Sequence, residues 1–326
     1  MNELQAVASH LCASKCGGVL ATLVSVEGSS YRRPGARMLV PRRGRRIGSI
    51  SGGCLEEDVI AHAKKVAAAG QPLLVVYDTA AENDLIWGVG MGCHGVVRVL
   101  LEPLPALPDW AIRLRDNLRA GAPTDIAVVW SGPPESMGTR LGPAGELGGV
   151  FAEHVEPAPS LTVYGAGDDA RPLVSLALEL GWTVTVADSR RTMATRSRFP
   201  GASCLVVGPP EELVARSAPR PGSLAVVMTH RYSHDVPILR DLLPLPVSYL
   251  GLLGPRMRAE RIFGELEKEG MVLTAEIRGR LRAPVGLDLG AEGAQEVALS
   301  IVAEMKAALS GRDGRPLRER TLPIHA

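Results

Sequence analysis

The stretch LTVYGAGDDA, residues 161–170, constrains the fold of this chain more than any other segment. A β-rich run ends in a turn of the form G-x-G-x-x-A, made by Gly165, Gly167 and Ala170, and a helical pattern follows. The next β-rich run, TVTVAD, ends at Asp188, about 20 residues beyond the turn. This order predicts a strand–turn–helix–strand unit of the Rossmann-like, dinucleotide-binding type.

The second half of the chain repeats the alternation of strand and helix. Further β-rich runs separated by helical patterns are CLVVG, LAVVMTH and VSYLGLLG, and a short helix is expected ahead of the first. Short strands separated by helices indicate βαβ units, so we predict an α/β fold with a doubly wound parallel sheet.

The first half has a different organisation. It mixes β-rich runs such as GGVLATLVSV with helical patterns such as LEEDVIAHAKKVAAAG, which predicts a mixed α/β domain. A Gly- and Pro-rich stretch over 131–160 ends in EPAPS and is typical of a linker. We therefore predict an N-terminal domain over 1–158, a Rossmann-like domain over 159–310 and a loose tail over 311–326.

Composition excludes several classes of protein. A net charge of +1 and an aromatic content of 4% argue against nucleic-acid binding. The chain has no run of about 18 apolar residues, and its first residues lack a basic-then-apolar leader, so no membrane span or export is expected. Five cysteines, an odd number in 326 residues, indicate a reducing cytoplasm rather than a disulfide framework.

The Rossmann-like turn leaves two interpretations open. Gly165 and Gly167 would let a pyrophosphate approach a helix N-terminus, and Asp188 would take a ribose hydroxyl, as in NAD(P) sites. However, Asp168 and Asp169 lie close to where the pyrophosphate would be, and two carboxylates would repel it. The alternative is a Rossmann-like fold whose site serves another ligand.

Two further segments should lie beyond the strand ends of the same sheet. MTHRYSHD contains a weak set of candidate metal ligands, His230, His234 and Asp235. The alternative is that Asp235 only caps a helix. GLLGPRMRAER places glycines before a basic helix start and predicts an anion site, the alternative being a solvated helix face. The residues of that anion site are Gly251, Gly254 and Arg256.

The first half carries two loops with groups suited to a ligand. GSSYRRPGARMLV places Arg32 and Arg33 in a loop before a strand, where guanidinium groups suit phosphate or carboxylate. SGGCLEED places Cys54 after Gly52 and Gly53 at a predicted helix start, which stabilises a thiolate. Three acids, Glu56, Glu57 and Asp58, follow it; they are interpreted first as helix-start charges and would raise the thiol pKa.

A second cysteine lies in a glycine-rich loop. GVGMGCHGVV contains Cys93 and His94 ahead of a strand. Soft thiolates suit zinc, copper(I), iron–sulfur or molybdenum–sulfur chemistry. The sequence contains no C-x-x-C pair, so a structural zinc site is not expected.

These motifs together resemble the XdhC/CoxI family of xanthine dehydrogenase accessory proteins. The matching segments run in order from about residue 17 to 308: GSSYRRPGARMLV, GSISGGCLEEDV, MGCHGVVRVLLEP, GAG with ADSR, VVMTH, YLGLLGPRMR and RLRAPVGLDLGAEGAQEVALSIVAE. The chain departs from the family pattern at Asp168, where histidine is common, and at GAQE, residues 293–296, where Thr-Pro-Glu-Glu is usual.

The resemblance implies a cytoplasmic chaperone of the molybdenum cofactor rather than an enzyme. Such a protein binds the sulfurated cofactor and passes it to an apo molybdenum hydroxylase of the xanthine dehydrogenase type. The resemblance also implies a homodimer and a cysteine desulfurase partner. It implies that Cys54, then Cys93, contacts molybdenum or its sulfur. We expect the cofactor to bind between the two domains, its phosphate near Arg32, Arg33 or the 251–256 loop. An NAD(P)-dependent oxidoreductase and a docking scaffold that binds no cofactor are the alternatives.

Overall fold

The chain forms two compact units. The computed structural model of the protein describes residues 3–14, 16–28, 30–78, 95–143 and 149–321. The first unit is Met1–Pro157 and the second is Ala158–Ala326. Each is a separate assembly of helices and sheets, so we describe them one at a time.

Two antiparallel sheets build the first unit. One has the strand order β3-β2-β1-β5-β4 and the other has the order β7-β6-β8. The strands are β1 (Gly18–Gly28), β2 (Arg37–Pro41), β3 (Ile47–Gly48), β4 (Leu73–Asp78), β5 (Gly95–Leu104), β6 (Thr124–Val129), β7 (Gly138–Leu141) and β8 (Val150–Val155). The helices are α1 (Glu3–Ser14), α2 (Glu56–Ala69) and α3 (Asp109–Ala120).

The central strand β1 is buried on both faces. Val19, Ala21 and Leu23 belong to the apolar cluster that contains α2. Leu20 belongs to the cluster that contains α1 and α3. Alternate residues of a strand point to opposite faces, so one strand serves two cores. Helix α2 ends at Gly70, whose φ of 68° lets it close the helix in the left-handed conformation.

The second unit confirms the predicted doubly wound α/β fold. Its parallel sheet has the order β11-β10-β9-β12-β13-β14. The strands are β9 (Ser160–Tyr164), β10 (Thr183–Asp188), β11 (Cys204–Val207), β12 (Leu224–Val227), β13 (Tyr249–Leu252) and β14 (Leu281–Arg282). The helices are α4 (Ala170–Glu179), α5 (Pro210–Ser217), α6 (Tyr232–Leu242), α7 (Arg256–Lys268), α8 (Ala275–Arg280) and α9 (Ala294–Leu309).

Helices cover both faces of the parallel sheet. Helices α4 and α9 pack on one face, and α5, α6 and α7 pack on the other. Strands β9 and β12 are neighbours in this order. From β9 the chain continues through β10 to β11 at one edge, and from β12 it continues through β13 to β14 at the other edge. Ligands bind at such a switch point, beyond the carboxyl ends of the strands. The turns after β9, β10, β12 and β13 therefore define the candidate site of this unit.

One predicted element is replaced by turns. The segment between β10 and β11, where a short helix was expected, forms successive turns without a regular helix. The hydroxyls of Thr195 and Ser197 lie 3.1 Å apart there, and short polar side chains of this kind compete with helical hydrogen bonding. In the described parts of the chain, no helix combines the length and apolarity needed to cross a bilayer.

Candidate functional site

A buried carboxylate organises the loop that carries Cys54. Glu56 is only 3% exposed, and its Oε1 accepts hydrogen bonds from the Ser51 amide at 2.9 Å and the Ser49 hydroxyl at 2.8 Å. The Ser51 hydroxyl donates to its Oε2 at 2.5 Å. The same hydroxyl accepts from the amides of Gly53 and Leu55 at 3.1 and 3.2 Å. One acid therefore fixes the path of residues 49–55.

The electrostatics of Glu56 follow from those contacts. Burial alone would raise its pKa, but the hydrogen bonds from Ser51 and Ser49 outweigh burial and lower it to about 2. Glu56, Glu57 and Asp58 do lie in the first turn of α2, as the sequence predicts, and Glu56 also holds the loop that precedes the helix. Asp58 is also engaged, because it accepts from the Tyr77 hydroxyl at 2.7 Å.

Cys54 is an exposed, free cysteine two residues before the helix. Helix α2 begins at Glu56 with Leu55 as its N-cap. Gly53 has a φ of 120°, which only glycine adopts readily, and no atom lies within 4 Å of where its Cβ would be. The thiol therefore lies at a helix start beside open backbone, where a ligand can reach it.

The arginine loop lies beside the cysteine loop. A Cβ at Gly52 would be 3.6 Å from ring atoms of Tyr31, so the two loops touch at that point. Arg32 is tied down by an ion pair with Glu3, whose other oxygen accepts from the Arg37 amide at 3.3 Å. Arg33 is exposed. The structure thus brings together the predicted residues Arg32, Arg33, Gly52, Gly53 and Cys54, and it adds Tyr31.

Cys93, the second predicted thiol, lies outside the described residues, together with His94. Its predicted contact with molybdenum therefore stays a prediction. The segment resumes at Gly95, where β5 begins and pairs with β1 through Gly28.

In the second unit, the glycine-rich turn packs against the chain itself. Gly165 has a φ of 122°, and a Cβ there would lie 2.4 Å from the Met228 carbonyl oxygen. A Cβ at Gly167 would lie 2.5 Å from Asp169 Oδ1. Gly165 is therefore required by a backbone contact inside the chain, whether or not a ligand approaches it, whereas the Asp169 carboxylate could move aside for a side chain at Gly167.

Both carboxylate oxygens of Asp188, the predicted ribose ligand, already accept hydrogen bonds within the chain. Its Oδ2 accepts from the Ala166 amide at 2.6 Å and from Arg190 Nη2 at 2.8 Å. Its Oδ1 accepts from the Arg190 amide and Nε at 2.7 and 3.0 Å. Burial alone would raise the pKa of Asp188, but these hydrogen bonds outweigh burial and lower it. The acid fastens the turn to β10 rather than facing outward.

The two aspartates after Gly167 are also paired. Asp168 forms an ion pair with Arg198 at 2.9 Å. Asp169 Oδ2 lies 2.6 Å from His230 Nε2, and His230 has a φ of 59°. The first pair links the turn after β9 to the segment between β10 and β11, and the second links it to the turn after β12. Sequence reasoning considered His230 only as a weak metal ligand and did not predict this contact.

The remaining predicted residues of this edge have separate roles. Asp235 does not cap a helix; it is 1% exposed and forms an ion pair with Arg258 at 2.5 Å. A Cβ at Gly251 would meet Val285 at 2.4 Å, and Gly254 has a φ of 137°. Arg256 is the exposed member of the predicted anion site. Across the described ranges, no three His, Cys, Asp or Glu side chains group into a metal site.

The described candidates therefore form two sets, one in each unit. The first has an exposed thiol, an exposed aromatic ring and arginines around a glycine pair. The second has its acids paired with its own cations. The first set can offer a soft ligand atom and anion contacts to a bound molecule. The second lies at a sheet edge whose basic residue Arg256 is exposed to solvent.

Comparison with known proteins identifies relatives of this chain. Residues 161–305 match the model of the XdhC Rossmann domain, and residues 11–78 match that of the XdhC and CoxI family. A Bacillus subtilis protein, named as a probable component of xanthine dehydrogenase, is 36% identical over 314 residues, covering 88% of this chain and 92% of its own length. The Escherichia coli molybdenum cofactor insertion chaperone PaoD is 25% identical over 293 residues, covering 89% and 82%.

A solved structure agrees over the whole length. The crystal structure of a Bacillus halodurans protein described as a xanthine dehydrogenase has a TM-score of 0.81 and 31% identity, covering 98% of this chain and 99% of that one. The matched regions include the SGGC loop in the first unit and the glycine-rich turn in the second. The chain belongs to the XdhC and CoxI family.

Proposed function

We propose that this protein is an accessory factor that binds the sulfurated molybdenum cofactor and inserts it into an apo molybdenum hydroxylase of the xanthine dehydrogenase type. The observation that carries the proposal is the exposed, free Cys54, held at a helix start by the Ser51–Glu56 hydrogen bonds. Family membership supports it, and so do the names of two relatives, one named for xanthine dehydrogenase and the other for molybdenum cofactor insertion.

The residues of the first set fit such a cargo. A thiolate is a soft ligand suited to molybdenum or its sulfur. Arg33, with Arg32 beside it, suits the phosphate of the cargo, since guanidinium groups pair well with phosphate. The cargo supplies oxidation–reduction chemistry to its client enzyme, whereas this chain's residues hold it and shield it during transfer.

The remaining parts of the proposal come from the family resemblance. They are a cytoplasmic location, a homodimer, a second thiol contact from Cys93, and a cysteine desulfurase as the partner that supplies sulfur. Cell fractionation, a mass measurement in solution, a Cys93→Ser variant and a pull-down would test these four proposals in turn.

The contacts of the second unit favour this function over an NAD(P)-dependent oxidoreductase. A dinucleotide needs a free acid for its ribose, and both oxygens of Asp188 are used by Arg190 and Ala166. Gly165 is explained by the Met228 backbone without a pyrophosphate. A docking scaffold without a ligand would leave the thiol at Cys54 without a role.

Purification from a molybdenum-replete host tests the proposal. We expect the wild-type protein to carry pterin and molybdenum, and a Cys54→Ser variant to lose most of both. Cys16→Ser is the matched control, because Cys16 is also an exposed, free cysteine of the first unit. Equal pterin in all three proteins would contradict the role of the thiol. Calorimetry that shows tight NAD(H) or NADP(H) binding, with turnover, would favour the oxidoreductase.

A further inference from the structure

Tyr31 is an exposed aromatic side chain that the sequence motifs did not single out. Its side chain is 75% exposed, which makes it one of the most exposed large apolar residues of the described chain. Single exposed apolar residues are ordinary on protein surfaces. The position of this one is not ordinary, because its ring lies against the backbone of Gly52, two residues before the exposed thiol.

The Tyr31 ring lies against Gly52, and hydrogen bonds and an ion pair hold the two loops that meet there. A Cβ at Gly52 would lie 3.6, 3.6 and 3.8 Å from three atoms of the Tyr31 ring, so Gly52 backs the ring at ordinary contact distance. The loop that carries Tyr31 is pinned after the ring by Arg32, which pairs with Glu3, and by the Gly35 amide, which donates to the Leu23 carbonyl at 2.8 Å. The opposing loop is pinned by Glu56.

Three kinds of group therefore lie within a short span. Successive Cα atoms are about 3.8 Å apart, so the Cα of Cys54 lies within about 8 Å of that of Gly52. Cys54 thus follows closely after the residue that the ring contacts, and the exposed Arg33 comes two residues after Tyr31. A soft atom, a flat apolar surface and a cation are arranged around one glycine pair.

We propose that Tyr31 is the stacking contact for the planar conjugated ring system of the ligand whose metal end lies at Cys54. The inference rests on the proposed function for the identity of that ligand, a pterin. Conjugated heterocycles stack on aromatic side chains regardless of their exact substituents, and an exposed, pre-positioned ring loses little freedom when it does so. Tyr31 thus acts as a binding residue, distinct from the thiol contact.

The test measures pterin retention by the full-length protein. Cofactor released anaerobically from a purified molybdenum hydroxylase is the probe, and retained pterin is read by fluorescence after oxidation. Tyr31→Ala should weaken binding by about tenfold or more, the usual effect of removing one stacking partner. Tyr31→Phe keeps the ring and should bind like wild type. Met257→Ala, a change at a residue that is 82% exposed in the second unit, is the control and should have no effect.

The outcomes separate this inference from the proposed function. If the wild type retains pterin and Tyr31→Ala retains it equally well, the stacking role is wrong and the chaperone function stands. If Tyr31→Phe is as weak as Tyr31→Ala, the hydroxyl and not the ring makes the contact, which also overturns the inference. If the wild type retains no pterin, both proposals are contradicted. Thermal unfolding of each variant, unchanged from wild type, confirms that binding alone is compared.

Discussion

At the scale of single residues, Glu56 links the fold of the first unit to its candidate site. The folded-state pKa of about 2 lies below the ordinary value of 4.5. The carboxylate therefore stabilises the folded loop fully above about pH 4.5, and this contribution is lost as the pH falls toward 2. At about 1.4 kcal/mol for each pKa unit, the full contribution is about 3 kcal/mol.

Glu56→Gln removes the charge of this side chain and keeps part of its hydrogen bonding. We expect the opening free energy of the loop at neutral pH to fall by about 2 kcal/mol, because an amide cannot replace a carboxylate that accepts three hydrogen bonds. We also expect its dependence on pH between 4.5 and 2 to flatten. Native-state hydrogen exchange at the amides of Ser51, Gly53 and Leu55 measures both. Glu57→Gln, at an exposed neighbour, is the control; an equal effect there would contradict the account.

The residue scale is also where sequence reasoning is weakest. Arg32, Arg33 and Cys54 stand in recognisable motifs, so the sequence predicts them as candidates. Tyr31 lies in the same motif, but its contact with Gly52 depends on two loops meeting, which no local pattern records. The burial of Glu56 is likewise set by how the loop folds back onto its own helix start.

At the scale of secondary-structure elements, the turn after β9 depends on one glycine. Gly165→Ala places a Cβ 2.4 Å from the Met228 carbonyl oxygen at a φ of 122°. Backbone cannot move aside cheaply, so we expect the second unit to lose about 3 kcal/mol or more of stability. Chemical denaturation, followed by a signal specific to this unit, measures the loss.

Gly264→Ala provides the contrast within the same unit. Gly264 lies inside α7, and nothing lies within 4 Å of its added Cβ. Replacing a helical glycine with alanine should therefore stabilise the unit by about 0.5–1 kcal/mol. Equal effects of the two substitutions would show that the close contact at Gly165 does not hold the turn.

The elements themselves were largely predictable. Alternating apolar runs and helical patterns predict the parallel sheet, because each β–α step leaves a local periodic signal. The turns between β10 and β11 were not predicted, because this segment lacks a strong apolar periodicity that would separate a helix from a series of turns. The engagement of Asp188 also escaped, because a motif that marks a ribose ligand says nothing of an arginine two residues later that binds the same carboxylate.

At the scale of the whole molecule, the two units differ in the groups that they offer to a ligand. The first presents an exposed thiol, an aromatic ring and arginines. The second has the strand order of a nucleotide-binding fold, but the acids of its glycine-rich turn are paired within the chain. A solved structure matches 98% of the chain, so the folds of both units are shared with that relative.

Cofactor delivery tests this central claim most directly. Protein loaded with sulfurated cofactor is mixed with a purified apo hydroxylase of the xanthine dehydrogenase type, and recovered hydroxylase activity is measured beside transferred molybdenum. We predict that the wild type and Cys16→Ser restore activity, while Cys54→Ser restores little and releases its pterin to solution. Equal recovery with Cys54→Ser, or with free cofactor and no accessory protein, would contradict the account.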